Sequence, residues 1–371
     1  MTLSQSLFAL IALGLIPLGL SVINAVTMRV VPLESGREVN ESVVVLVPMR
    51  NEASHVSGLL DSLVQQSNCT DLHLAILNDH STDTTLELLQ RTPHAGRFEL
   101  LEGSELPAGW LGKNFACHQL STSPGARSAA YLVFIDADVR LAPTAISAAI
   151  TEMNSHGWDF ISPYPQQIAG TWSEKIIQPL LQWSFMSSLP LRLAQRIASP
   201  AMAVANGQFF VVKRDDYDRA GGHQEIKSEV LDDLELARAL LRSGATGGVA
   251  DGSEIARCRM YDDRSALFEG YRKSLWRAFG NPIAAIFASG YLAATALLPL
   301  VLVALDPAHW VWYLSAYALV ALSRVICAIK TRSEPLYAIW HFISIALFTY
   351  LLATSWIRKW RGQLLWRGRK I

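Results

Sequence analysis

Apolar positions along this chain fall into long uninterrupted stretches at its two ends and short interrupted runs in its middle. Residues 6–26 (SLFALIALGLIPLGLSVINAV) are long and apolar enough to span a bilayer. Three more such stretches come late, at about 283–305, 310–329 and 336–356. Residues 43–260 between them alternate strand-like and helix-like segments, the pattern of an α/β domain with a mainly parallel sheet. VVVLV (43–47) reads as a buried strand and 53–66 as the helix after it. LHLAIL (72–77), helix 84–91, FELLEG (98–103), YLVFIDAD (131–138), helix 144–154 and strand 158–162 continue the alternation.

The apolar stretches predict a domain plan. Residues 1–28 form an N-terminal transmembrane anchor, 29–281 an α/β domain, and 282–371 C-terminal hydrophobic helices with a basic tail. No Lys or Arg precedes the first stretch, so it lacks the charged start of a signal peptide. The first cations, Arg29 and Arg37, follow it and place residue 29 onward inside. The link 306–309 has no Lys or Arg and reads as external, while the link with Lys330 and Arg332 reads as internal. The tail from Ile357, with six cations, also reads as internal. Three full late crossings would put it outside, so one late stretch is expected not to span. Arg324 is costly in lipid and is expected to face protein or lie near the surface. Residues 172–198, apolar with Trp172, Trp183, Lys175, Arg192 and Arg196, read as a helix in the membrane interface, broken at Pro179 and Pro190.

Composition excludes some classes. Half of the 371 residues are hydrophobic and formal charge is balanced, which fits neither one ordinary soluble domain nor a nucleic-acid binder. The four cysteines lie far apart, with no zinc or redox spacing, and read as reduced structural thiols. The sequon matches at Asn40 and Asn68 carry little weight.

The chemistry concentrates where strands end. YLVFI runs into Asp136-Ala137-Asp138, and two carboxylates separated by one residue can hold a divalent cation, which in turn can hold a diphosphate. In parallel sheets ligands bind beyond the carboxyl ends of strands, where Asp79 and Arg50-Asn51-Glu52 also fall. No G-x-G-x-x-G follows the first strand, and 109–114 (GWLGKN) lacks Walker spacing. The phosphates are therefore expected on a metal and side chains. His80, His118 and His223 lack partners at ligand spacing and read as structural. Asp215-Asp216 and Asp262-Asp263 read as caps or surface.

In order, VPMRNE (47–52), LNDHSTDTT (77–85), PAGWLGKNFACHQ (107–119), FIDADVRLAP (134–143), NGQFFVVKRDDYDRAGG (206–222), EVLDDLELARALLRSG (229–244) and CRMYDDRSALFEGYRKSLWRAFG (258–280) resemble the family-2 glycosyltransferases of the type-A nucleotide-sugar fold. The GWLGK and FEGYRKSLWRAFG segments resemble the branch with chlorobactene glucosyltransferases and hopanoid-associated glycosyltransferases. The resemblance implies that Asp79 bonds the uracil and that Pro48, Arg50, Asn51 and Glu52 line base and ribose. It places Asp136 near ribose and metal, Asp138 on Mg or Mn, and Lys113 on the diphosphate. It makes Asp233 the base, with Asp232 where the family has Glu. Crowding by Asp232, Glu229 and Glu235 is expected to raise the pKa of a buried Asp233. Asn206, Gly207, Gln208, Lys273 and Trp276 fall on the acceptor side. The Gln-x-x-Arg-Trp motif of processive synthases is absent, so one sugar is moved rather than a polymer made.

The implied function is inverting transfer of one sugar from a UDP-sugar, by default UDP-glucose, to a hydroxyl of a membrane lipid or isoprenoid such as a carotenoid or hopanoid. The implied partners are the lipid bilayer and neighbouring lipid-biosynthesis enzymes, with no nucleic acid. The implied location is a bacterial-type cytoplasmic membrane, with the catalytic domain in the cytosol. A polyprenyl-phosphate glycosyltransferase and a non-catalytic UDP-sugar-binding membrane component are the alternatives.

Overall fold

The computed structural model describes residues 3–366 and 369–370, so residues 367, 368 and 371 of the basic tail lie outside the described residues. The chain divides into two compact units, one of residues 29–166 and 194–259, the other of residues 1–28, 167–193 and 260–371.

The first unit is built on a seven-stranded sheet. Its strands are β1 (Val43–Met49), β2 (Leu72–Asn78), β3 (Glu99–Glu102), β4 (Tyr131–Ile135), β5 (Phe160–Tyr164), β6 (Phe209–Lys213) and β7 (Gly247–Asp251). Their order across the sheet is β3-β2-β1-β4-β6-β5-β7. β1 pairs in parallel with β2 and β4, β2 with β3, and β5 with β7. β6 is antiparallel to both β4 and β5. The fold is thus mixed α/β with a mainly parallel sheet. β1 and β4 read as continuous apolar runs because both of their faces are covered: Val43–Val47 and Tyr131–Ile135 are buried throughout. On one face, helix Asp232–Arg242 inserts Leu236, Ala237 and Leu240 into a core shared with Leu46, Phe134 and Phe210.

The helix expected over 53–66 runs Val56–Val64. Residues 51–55 make a turn first, with Asn51 at φ 55°. That turn is pinned by the Glu52 N–H donating to Thr85 Oγ1 (2.8 Å) and the Thr82 N–H donating to Asn51 Oδ1 (2.7 Å). β6 inserts between β4 and β5, pairing Ile135 with Phe209. This brings residues 206–208 beside the end of β4, where the Asp136 N–H donates to the Gln208 carbonyl (3.2 Å).

The second unit is helical. Three of its helical segments, Gln5–Thr27, Pro307–Lys330 and Pro335–Trp360, are long and apolar enough to cross a membrane. The stretch at 283–305 is different: helices Pro282–Ala296 and Leu298–Leu305 meet at a 46° bend. Pro299, just past the bend, has no N–H to continue the first helix. Residues 172–198, expected as one helix broken at two prolines, are three: Trp172–Ile177, Leu180–Ser188 and Leu191–Arg196. Trp183 is buried and donates Nε1–H to Ser323 Oγ (2.8 Å), so part of this segment is core of the helical unit. Arg324 does face protein: it is 1% exposed, donating to Ser344 Oγ and to the Ile176 carbonyl (2.7 Å).

Candidate functional site

β4 ends at Ile135, and the chain turns through Asp136-Ala137-Asp138 before pairing Val139 with Cys258. Arg140 braces the turn from behind. Its guanidinium donates to the carbonyls of Ala137 (2.9 Å) and Val139 (2.8 Å), and to that of His55 (3.3 Å) just before helix Val56–Val64. The turn is therefore held by backbone contacts on both sides.

Lys113 comes from the first turn of helix Gly112–Ser121 and meets two acidic pairs at once. Its Nζ lies 2.8 Å from Asp136 and 3.3 Å from Asp232. Asp232 and Asp233 open helix Asp232–Arg242, where the helix dipole favours negative charge. Asp233 accepts hydrogen bonds from the Gly207 N–H (2.8 Å) and the Leu234 N–H (2.8 Å). Gly207 fits this corner because it is small: a Cβ there would stand 3.3 Å from both Asp233 Cβ and Lys113 Nζ. These groups, with Pro48 and His223, line a cleft whose apolar lining is Phe134, Phe210 and Leu236.

Burial and neighbouring charge separate the acids. Burial, reinforced by the Asp232 charge, pushes the Asp233 carboxyl up to about 6, against Lys113 and the two N–H groups. Burial is the larger cause, beside the expected crowding by Asp232, and Glu235 turns away to Arg238 (2.7 Å). Burial and the Asp136 charge push Asp138 up to about 7, with the Cys258 thiol opposing. Burial works against the Lys113 ammonium, but Asp136 and Asp232 outweigh it and hold Lys113 well above the usual lysine range.

Asp138 Oδ1 is buried with no hydrogen-bond partner, which is costly for a carboxylate oxygen unless something else binds it. A hard divalent cation fits that oxygen. Among the described residues no cluster of three His, Cys, Asp or Glu side chains forms a complete cage. Mg-type ions do not need one, since they keep waters and take phosphate oxygens beside one or two carboxylates.

At the neighbouring ends of β1 and β2, Arg50, Asn51, Glu52 and Asp79 come together. Arg50 Nη1 donates to the Asp79 carbonyl (2.7 Å), and the buried Asp79 donates its N–H to Met49 O (2.7 Å). Asn206 and Gln208 belong to the loop holding Gly207: the Gln208 N–H donates to Asn206 Oδ1 (2.8 Å), and Gln208 is buried. Lys273 and Trp276 lie on helix Arg264–Ala278 of the helical unit. There Trp276 donates Nε1–H to the Lys273 carbonyl (3.1 Å), under the Lys359 ammonium at 3.7 Å. Sequence reasoning read His223, now in the cleft wall, as structural and gave no task to Arg140 behind the acidic turn; the glycine pair before His223 was the available signal for the first.

Residues 44–221 match the family model described as Glycosyl transferase family 2. This region is a family 2 glycosyl transferase domain. The chain is 24% identical over 250 residues to a 4,4'-diaponeurosporenoate glycosyltransferase of Staphylococcus aureus, covering 65% of this chain and 63% of that protein. A protein of the same description from Staphylococcus haemolyticus is 26% identical over 248 residues, covering 64% of this chain and 62% of the relative. The chain thus matches less than two thirds of the length of these relatives. A mannosyltransferase from Pyrobaculum calidifontis, solved in complex with GDP-Man and Mn2+, superposes with a TM-score of 0.55 at 17% identity, over 97% of this chain and 99% of that one. That likeness gives the family 2 domain its type-A architecture.

Proposed function

We propose that this protein is a membrane-bound inverting glycosyltransferase that moves one hexose from a UDP-sugar to a hydroxyl on a membrane lipid or isoprenoid of carotenoid type. The observation that carries the reading is Lys113, whose ammonium joins the acidic turn after β4 to the acidic pair opening helix Asp232–Arg242. One cleft then holds both a place for a diphosphate and a buried carboxyl with a raised pKa. The acceptor class follows from the diaponeurosporenoate glycosyltransferases and the apolar helices.

Asp138, with Asp136, is the holder of Mg or Mn, which when bound supplies positive charge to the diphosphate. Lys113 adds its own charge toward the departing UDP. Asp233 takes the proton from the acceptor hydroxyl. That oxygen bonds to the anomeric carbon as the bond from that carbon to the diphosphate oxygen breaks. UDP leaves on the opposite face, so the configuration inverts. Arg50, Asn51, Glu52 and Asp79 hold base and ribose, and Asn206, Gly207, Gln208, Lys273 and Trp276 serve the acceptor side. We place the α/β unit in the cytosol, from the cations after the first helix.

The test is lipid extraction after expression with labelled UDP-glucose, UDP-galactose or UDP-GlcNAc and divalent metal, followed by mass spectrometry. A labelled lipid carrying one hexose is expected. No labelled lipid from any donor sinks the proposal. The relatives' acceptor is named as a carboxylate, which favours a second reading: an acceptor already ionised, needing little from a base.

A further inference from the structure

His223 lines the cleft beside Lys113, Asp232 and Asp233, and the chemistry above gives it no task. Its position depends on the two glycines before it. Gly221 and Gly222 have φ of 81° and 54°, and a Cβ on Gly222 would lie 2.5 Å from the Tyr217 ring. Only glycine lets the chain close this tightly over Tyr217.

A run of hydrogen bonds then sets the protons on the imidazole. Ser121 Oγ donates its only proton to the His118 carbonyl (2.9 Å). It therefore accepts from Tyr217, whose hydroxyl donates to it (3.0 Å). The Tyr217 oxygen, its proton spent, accepts from the His223 N–H (3.0 Å) and faces His223 Nδ1 at 2.8 Å. Nδ1 must carry the ring proton to make that contact. Nε2 is left with its lone pair, and among the described residues it makes no hydrogen bond. Burial pushes the His223 pKa down to about 3, so the ring stays neutral at ordinary pH.

A bare ring nitrogen only accepts. Diphosphate oxygens offer it no proton, and the uracil N–H belongs at Asp79. The remaining donors on a nucleotide sugar are hydroxyls. The transferred hexose has to lie between the diphosphate held near Lys113 and the base, and His223 shares that part of the cleft with both. We propose that His223 accepts, through Nε2, a hydrogen bond from a hydroxyl of the transferred hexose, and so helps to decide which sugar is used. The inference rests on the nucleotide-sugar reading above.

The test is calorimetric binding of UDP, UDP-glucose and its four monodeoxyglucose analogues to the full-length detergent-solubilised protein with Mn2+. The wild type is compared with His223→Phe and His223→Gln. The wild type is expected to bind one monodeoxy analogue about tenfold more weakly than UDP-glucose. His223→Phe should bind UDP as the wild type does and erase that difference, and His223→Gln, which restores an acceptor oxygen, should recover part of it. If the same penalty persists in His223→Phe, or if the wild type penalises no analogue, the proposal is overturned. If both variants lose UDP itself, His223 is a structural residue and the proposal is equally overturned. A wild type that binds neither UDP nor UDP-glucose overturns the underlying nucleotide-sugar reading instead.

Discussion

At the scale of single residues, the two acids with raised pKa values make separable predictions. As the proposed base, Asp233 has to be ionised to act, so activity is expected to fall as pH drops through about 6. A pH profile of kcat/KM checks this, and a rate that stays flat from pH 7 to 5 sinks the assignment. Asp233→Asn removes the proposed base and should cost roughly 10²- to 10⁴-fold in kcat with UDP binding kept. If the acceptor is a carboxylate or a phosphate, much of the turnover should survive instead. Asp138→Ala removes the unpartnered buried oxygen. It should abolish tight Mn2+ binding, read by the electron paramagnetic resonance signal of the free ion. Unchanged Mn2+ affinity would move the metal elsewhere. The sequence pointed to Asp138 through the apolar strand that it follows, and to Asp233 only through the family resemblance. The raised pKa of Asp233 was expected from its acidic neighbours, whereas that of Asp138 was not legible, since burial is a property of the packed cleft.

At the scale of elements, the acidic turn depends on helix Val56–Val64 packing closely behind it. A Cβ on Gly58 would lie 2.5 Å from Arg140 Nε, the group that braces Ala137 and Val139. Gly58→Ala is expected to destabilise the α/β unit by about 1–3 kcal/mol, the usual cost of overpacking, and to weaken Mn2+ binding with it. Thermal unfolding with and without Mn2+ measures both, and a variant with wild-type melting and metal affinity removes this brace from the account. Gly58 has no sequence signal of this kind: inside a helix, glycine reads only as a weak position. Strands β6 and β7 escaped the pattern reading as well. β6 is antiparallel and arrives from far along the chain to sit between β4 and β5. Its place comes from the pairing, which periodicity does not encode.

At the scale of the whole molecule, the helical unit carries the membrane question. Pro307–Lys330 and Pro335–Trp360 are joined by a short link that carries Arg332, and the first follows a link with no Lys or Arg. If both segments span, residues 308 and 332 lie on opposite sides of the bilayer. Single cysteines at Ala308 and Arg332, probed with a membrane-impermeant maleimide in sealed vesicles, should label from opposite faces. Labelling of both from one face means that one of these segments does not cross. Arg324 is compatible with a spanning helix here because residues 175–176 and Ser344 accept its hydrogen bonds, replacing water that lipid cannot supply.

The sequence by itself determined where the apolar segments lie, the alternating order of the α/β region and the acidic pair Asp136 and Asp138 after its central strand. Those features follow from local periodicity and from which residue types can hold a cation or a diphosphate. Tertiary structure alone decided that Lys113 bridges Asp136 to Asp232, and that burial leads the rise in the Asp233 pKa. It also decided that His223 turns from a core histidine into a cleft wall. The physical reason is common to all three. Each depends on residues distant in sequence meeting where water is excluded, and neither the meeting nor the exclusion is written in local pattern.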